Sequence, residues 1–209
     1  MRSWKGLIEI NELSFEESTH TYKLDGVEIP SVTTIMKPLS QSLYKTVDEA
    51  VLNKAAERGT IIHNAIENFI KFGFSDCPHE YITYFHAFLQ WCKDYSVEII
   101  QSEFKTYHKL MKYAGTIDLI CKIGGEKFIV DYKTSASVNR MLTGVQTEAY
   151  AKAFESHGMK IDKKAILHLT KYGKYDFIEY NHNDYESWNV FVALMTIRNH
   201  IEKYQGGQS

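Results

Sequence analysis

The chain has 209 residues, with 24 basic and 26 acidic side chains for a net charge of −2, and 44% of its residues are hydrophobic. That is apolar material enough for a core and argues against wholesale disorder, and one domain is expected at this length. Three scattered cysteines, Cys77, Cys92 and Cys121, exclude a disulfide scaffold and any four-cysteine cluster supplied by this chain alone. No apolar stretch approaches the roughly 20 residues that span a bilayer, and residues 1–6 introduce no apolar leader, so a cytoplasmic protein without a membrane partner is expected.

Residues 13–29 read as a hairpin, with alternation through Thr21, Tyr22, Lys23 and Leu24 and a turn at Asp25-Gly26. Pro30 and Ser31 lead into a short helix, with Ser31 as its N-cap and Pro38 as its end. From about 47 to 72 apolar residues recur at helical spacing, His63 among them, and Gly73 supplies the stop. Gly59, one turn before His63, is expected to let this helix approach the sheet closely. A further helix is predicted over about 78–95, with Pro78 in its first turn.

The period then drops to two, predicting strands at 97–107, 113–123 and 126–134. A helix over 138–157, closed by Gly158, precedes strands at 164–171 and 175–180 joined through Tyr172-Gly173-Lys174. A last helix covers about 184–204 before Gly206-Gly207. The order predicts an α/β fold, a mixed sheet flanked by helices. Within one domain it comprises an N-terminal hairpin and helical part (1–96), a sheet core (97–180) and a C-terminal helix (181–209).

The near-zero net charge conceals an uneven distribution. Residues 1–103 carry 9 basic and 15 acidic groups, residues 104–174 carry 13 and 6, and residues 175–209 carry 2 and 5. The middle segment is therefore basic between two acidic ones, which fits an anionic partner or simply a difference in surface composition.

The sharpest local signal is Gly124-Gly125 between two predicted strands, a two-residue loop in which both positions accept positive φ. In such a hairpin, residues whose numbers sum to 249 face each other, and Asp118 and Asp131 do so. Two carboxylates about 5 Å apart at Cβ, among apolar neighbours, repel unless a cation intervenes. Magnesium or manganese suits hard oxygen ligands at this spacing. Lys133 shares the face of Asp131 and can orient an attacking water; a structural Asp–Lys–Asp ion cluster is the alternative. If the preceding hairpin is symmetric about Leu110-Met111, Glu103 also faces Asp118.

These residues carry a resemblance. Gly115-Thr116-Ile117-Asp118, Asp131-Tyr132-Lys133-Thr134 and Gln146-Thr147-Glu148-Ala149-Tyr150, in this order, resemble the core of the PD-(D/E)XK nucleases. Upstream, Gly59-Thr60-Ile61-Ile62-His63 matches the G-x-x-x-H motif of the RecB-like exonucleases. Residues 26–33 resemble the entry segment of stand-alone phage and mitochondrial genome maintenance members. The motifs span about residues 21–150. Ile117 stands where the motif's name has proline, and the cysteines that hold an iron–sulfur cluster in CRISPR-associated relatives are missing, so no such cluster is expected.

The resemblance implies a restriction-endonuclease-like αβββαβ core and a magnesium- or manganese-dependent DNA exonuclease, phage- or bacterially encoded, acting on single-stranded DNA or DNA ends. A structure-selective endonuclease and a non-catalytic nucleic-acid-binding module are the alternatives. It implies metal binding by His63, Asp118, Asp131 and the backbone carbonyl of Tyr132; the hairpin register adds Glu103 as a further active-site acid, and Glu148 is expected in or near the site. Lys133 would position water, and Gln146 and Tyr150, which share a helix face, would contact the scissile phosphate. Arg140, Lys152, Lys171 and Lys174, with Ser31 and Thr33, are candidate phosphate contacts. Tyr22, Tyr44, Tyr107, Tyr113 and Tyr172 are candidates for base stacking. The chain has no ATP-binding motif, so unwinding would fall to a helicase or recombination partner.

Overall fold

A computed structural model describes residues 10–205. The expectations for the leader at residues 1–6 and for Gly206-Gly207 lie outside the described residues. Three short strands come first, β1 (Leu13–Glu16), β2 (Thr21–Leu24) and β3 (Val27–Ile29), paired antiparallel in that order. The expected hairpin is thus a three-stranded meander. Its Asp25-Gly26 turn has φ of 50° and 82°, the two left-handed positions that a tight two-residue loop requires.

Helix α1 (Val32–Tyr44) begins at Ser31, whose hydroxyl accepts from Thr34 N at 3.0 Å. Pro38 does not end it, contrary to expectation: the helix runs through to Tyr44. Proline at 38 removes only the hydrogen bond to the Thr34 carbonyl, and both residues are exposed, so water can take the missing donor's place. Burial of Val32, Ile35 and Met36 holds the helix regardless.

Helix α2 (Glu49–Phe72) is capped by Asp48, which accepts from Ala50 N at 2.7 Å, and by Gly73 at φ 78°. The predicted helix after Pro78 opens as a 3-10 turn, His79–Tyr81, before α3 (Ile82–Asp94). The main sheet then assembles from β4 (Glu98–Tyr107), β5 (Ala114–Ile123), β6 (Glu126–Lys133), β7 (Lys163–Leu169) and β8 (Tyr175–Tyr180). Its strand order is β4-β5-β6-β7-β8, antiparallel except for β6 beside β7. That parallel pair needs a crossover, which α4 (Arg140–Glu155) provides. Helix α5 (Tyr185–Gln205) closes the described chain.

Both faces of the sheet are covered, which is why its central strands are apolar on both sides. On one face α1, α4 and α5 pack Ile35, Val145, Phe154 and Phe191 against Ile120 and Ile129. On the other, α2 and α3 pack Ile62, Ile66, Phe88 and Trp91 against Leu119, Val130 and Leu167. Helices α1 and α2, adjacent in sequence, therefore lie on opposite faces. Past the C-terminal end of β6, Arg58 of α2 donates to the Thr134 carbonyl at 3.0 Å. No described helix is long and apolar enough to cross a membrane. The mixed sheet with helical flanks is the restriction-endonuclease-like fold.

Candidate active site

The β5–β6 ladder runs from Ile123↔Glu126 to Leu119↔Val130, a sum of 249 throughout, and Gly124 and Gly125 take φ of 58° and 90°. At the next position in this register the ladder opens. Asp118 turns its Oδ2 to accept from Tyr132 N at 2.7 Å, so a carboxylate replaces the backbone acceptor. Asp131 instead faces Lys133, Oδ2 to Nζ at 2.6 Å, as an ion pair without hydrogen-bond alignment. Both carboxylates are buried. They do not form a symmetric pair: each has its own partners.

The β4–β5 ladder pairs Phe104 with Ile117 and Ser102 with Leu119, which puts Glu103 at the position opposite Asp118, as a symmetric loop requires. The loop that sets this register is closed by His108. Its Nδ1 accepts from Leu110 N at 3.3 Å and Met111 N at 3.2 Å, while its backbone N–H donates to the Tyr113 carbonyl at 2.8 Å. Glu103 itself has φ of 49°, a left-handed conformation inside a strand that costs a non-glycine residue on the order of 1 kcal/mol.

His63, Glu103 and Asp118 each offer one ligand atom, and these atoms lie within 4.8 Å of one another. His63 Nε2 is 3.3 Å from the Tyr132 carbonyl oxygen, and its Nδ1 is 3.6 Å from Asp118 Oδ2. One imidazole, two carboxylates and a backbone carbonyl therefore converge from α2, β4, β5 and β6. The charges there are poorly balanced. Burial, opposed by His63 and reinforced by Asp131, raises the Asp118 carboxyl to about 6. Burial, with Asp118 and Glu67 adding repulsion, raises Glu103 to about 8. A divalent cation would relieve both, and the mixed nitrogen and oxygen donors suit one. Burial works against the Lys133 ammonium, but Asp131 and Asp118 outweigh it and its pKa is raised. Lys133 is thus held as an ammonium beside the two carboxylates.

Gln146 Nε2 donates to the Tyr150 hydroxyl at 3.2 Å along α4. Burial, with Asp131 and Asp118 nearby, holds that phenol well above its usual range, so it stays a donor. Its ring passes over Gly115, where an added Cβ would fall 2.5 Å from Tyr150 Cε1. Gly59 has no such role: a Cβ there would meet Thr134 Oγ1 at 3.8 Å, an ordinary contact, so the expected close approach does not require glycine.

Tyr150, Asp118, Glu103 and His63 open onto a cavity of about 600 Å³ walled by the meander, the start of α1 and the α2 face that carries Thr60, Asn64, Glu67 and Lys71. Ser31 and Thr33 line it, their hydroxyls bonded to each other at 2.9 Å. Arg140 is exposed at the first turn of α4, and Lys171 and Lys174 are exposed in the β7–β8 turn, at the sheet end shared with Lys133. Lys152 is engaged elsewhere, 3.5 Å from Glu148, 3.7 Å from Glu155 and bonded to Asn183 at 2.8 Å. Glu148 does not approach the metal-ligand set, contrary to expectation. It is fully buried against Lys164 of β7 and accepts from Asp184 N at 3.2 Å, a tie between α4, β7 and α5. Among the tyrosines, Tyr22 lines the cavity and Tyr172 is exposed, whereas Tyr107 and Tyr113 are buried, bonded to Glu12 and to the Ala149 carbonyl.

Sequence reasoning did not find Arg58, or the cavity-facing residues Thr60, Asn64, Glu67 and Lys71. The signal for the latter was present: they share the helical stripe of His63 at spacings of three, one, four and eight. Arg58 carried none, since its partner is a backbone carbonyl 76 residues away.

An acid–lysine pair and a histidine–carboxylate set meeting where a hairpin opens within a mixed sheet define the core of a restriction-endonuclease-like nuclease. The profile of the PD-(D/E)XK nuclease superfamily matches residues 79–192, more than half of the chain, and the chain belongs to that superfamily. No curated protein matches it. Among solved structures it is similar to SSO0001, at 12% identity over 67% of this chain and 74% of that one, with a TM-score of 0.37. It is also similar to an alkaline exonuclease (LHK-Exo) from Laribacter hongkongensis, at 10% identity over 73% and 92% of the two chains and a TM-score of 0.36. The same enzyme in complex with dAMP gives 11% identity over 87% and 95%, with a TM-score of 0.37.

Proposed function

We propose that this protein is a divalent-metal-dependent deoxyribonuclease of the RecB-like, stand-alone kind, removing nucleotides from single-stranded DNA ends in replication, recombination or repair. The observation that carries the reading is the meeting of His63, Glu103 and Asp118 with the Asp131–Lys133 pair at one end of the sheet. His63, Glu103, Asp118 and the Tyr132 carbonyl would hold magnesium or manganese, and Asp131 completes the acidic set by resemblance. A bound ion of this kind supplies an activated water and neutralises phosphate charge. Lys133, held by Asp131, orients the attacking water and stabilises the negative charge that develops on phosphorus oxygens. The Gln146 amide and Tyr150 phenol donate to the scissile phosphate. Arg140, Lys171 and Lys174 add attraction for the strand backbone.

Two features support an end-directed enzyme for single strands. The cavity is on the scale of pockets for small ligands, about 300–1,000 Å³, which suits a nucleotide or two and not a duplex. The meander and the start of α1 wall the cavity and bound access to the site from that side. Duplex substrates would then depend on an unwinding partner.

End-labelled linear DNA, single- and double-stranded, and a circular single strand, each with magnesium or manganese, test the reading. Linear single strands are expected to be degraded and the circle spared. Asp118→Ala and Lys133→Ala are expected to lose activity by about a hundredfold or more. Cleavage of the circle would replace the exonuclease reading with the endonuclease one, and full activity in both variants would overturn the site.

A further inference from the structure

The inner face of the meander is apolar across its width, and its cover is incomplete at Phe15. Alternation puts Leu13 and Phe15 of β1 on the same face as Tyr22 and Leu24 of β2, with Leu13 opposite Leu24 and Phe15 opposite Tyr22. The leucine end packs on Ile29, Tyr107 and Ala114. Tyr22 belongs to the same cluster and Phe15 packs against it, but both also line the cavity, joined by His20 from the β1–β2 turn.

The three rings form a bent row, with Phe15 at the corner and His20 6.3 Å from Tyr22. Phe15 lies 4.6 Å from Tyr22 between centroids and 5.0 Å from His20, which stands edge-on to it. The inner end is fixed: Tyr22 is buried, and its hydroxyl bonds Thr116 Oγ1 at 2.8 Å, two residues from Asp118. The outer end is open, with Phe15 half-buried and His20 exposed at φ 52°. Lys105 holds its ammonium 5.6 Å over the Phe15 ring, two residues from Glu103. Rings that served only as core would be enclosed. These run from beside the metal-ligand set out to solvent along one wall of the cavity.

We infer that this row is a nucleobase subsite, an inference that rests on the nuclease reading of the neighbouring site. The base of the nucleotide next to the scissile phosphate stacks on His20 and meets Phe15, which stands at 87° to that ring, edge to face, while Lys105 attracts its phosphate. Because every base presents a π face, the subsite accepts any sequence but requires a base. It also requires an unpaired one, since a base within a duplex is already stacked.

The test uses Lys133→Ala protein in magnesium, to keep the strand uncut, and fluorescein-labelled oligothymidylate beside an abasic oligonucleotide of the same length. Fluorescence anisotropy reads affinity. Adding Phe15→Leu, which keeps most of the volume, or His20→Ala, at an exposed position, is expected to weaken oligothymidylate binding about fivefold or more. Abasic binding should stay unchanged, and melting temperatures should confirm that each variant folds. No loss on oligothymidylate, or equal loss on both probes, overturns the subsite. If the Lys133→Ala protein binds neither probe, the subsite falls together with the nuclease reading, an outcome distinct from the first two.

Discussion

At the scale of single residues, the site depends on Gly115 as much as on its charged groups. Tyr150 reaches the cavity only because position 115 has no Cβ, and the contact an alanine would make is with a ring, not with a yielding chain end. Gly115→Ala is expected to destabilise by about 1–3 kcal/mol, the usual cost of overpacking, and to displace the Tyr150 phenol. Urea denaturation measures the first, and a fall in nuclease turnover measures the second; an alanine variant with native stability and turnover would refute the steric account. Asp118, Asp131 and Lys133 were legible in the sequence because Gly124-Gly125 defines a register by arithmetic alone. Glu103 was legible only on the assumption of a symmetric loop. What closes that loop is a histidine side chain accepting from two backbone amides, and no turn residue announces it. The division of labour between the two aspartates was not legible either. Register places Cβ atoms, whereas Tyr132 N and Lys133 Nζ decide where each carboxylate turns.

At the scale of elements, the helix–sheet junction is secured by a buried ion pair. Lys164 at the start of β7 and Glu148 in the middle of α4 are both fully buried, and Glu148 also receives the Asp184 amide at the entry to α5. Removing Lys164 leaves the buried Glu148 carboxylate to Lys152 at 3.5 Å and the Asp184 amide, a weaker compensation. Lys164→Met is expected to cost about 3–5 kcal/mol in chemical denaturation, and Glu148→Leu added to it should recover part of that loss. A double variant no better than the single one would show that the pair does not act as a unit. From sequence, Glu148 sat inside a motif and was expected near the metal site, because its distant partner Lys164 was one of many lysines. Element types were otherwise readable from period and caps. Pro38 was misread because Val32, Ile35 and Met36 ahead of it supply burial that a local rule ignores, and β1 was absorbed into a hairpin because its turn has no glycine.

At the scale of the whole molecule, the donors for an ion come from separate layers: His63 from a helix on one face, Glu103 and Asp118 from neighbouring strands. A cation that binds only the folded arrangement should stabilise it by mass action, about 2.7 kcal/mol at a hundredfold excess over Kd. Manganese is expected to raise the melting temperature of the wild type, a chelator to reverse the rise, and His63→Ala to abolish most of it. An equal rise in that variant would mean that the ion binds elsewhere. The basic middle segment, residues 104–174, also gains meaning from the fold: Lys171 and Lys174 flank the end of the sheet where Lys133 sits, while Lys152 is spent on internal ion pairs.

The distance along the chain between the donors has a consequence of its own. Between His63 and Glu103 lie the end of α2 and the whole of α3, a stretch that no covalent link ties down, since all three cysteines are free. An ion held at both ends would work as a removable crosslink, closing that long loop only while the metal is present. Amide exchange in the middle of α2 should therefore slow as manganese is added. The same ion that arms the nuclease would set how often its own helix lets go of the sheet.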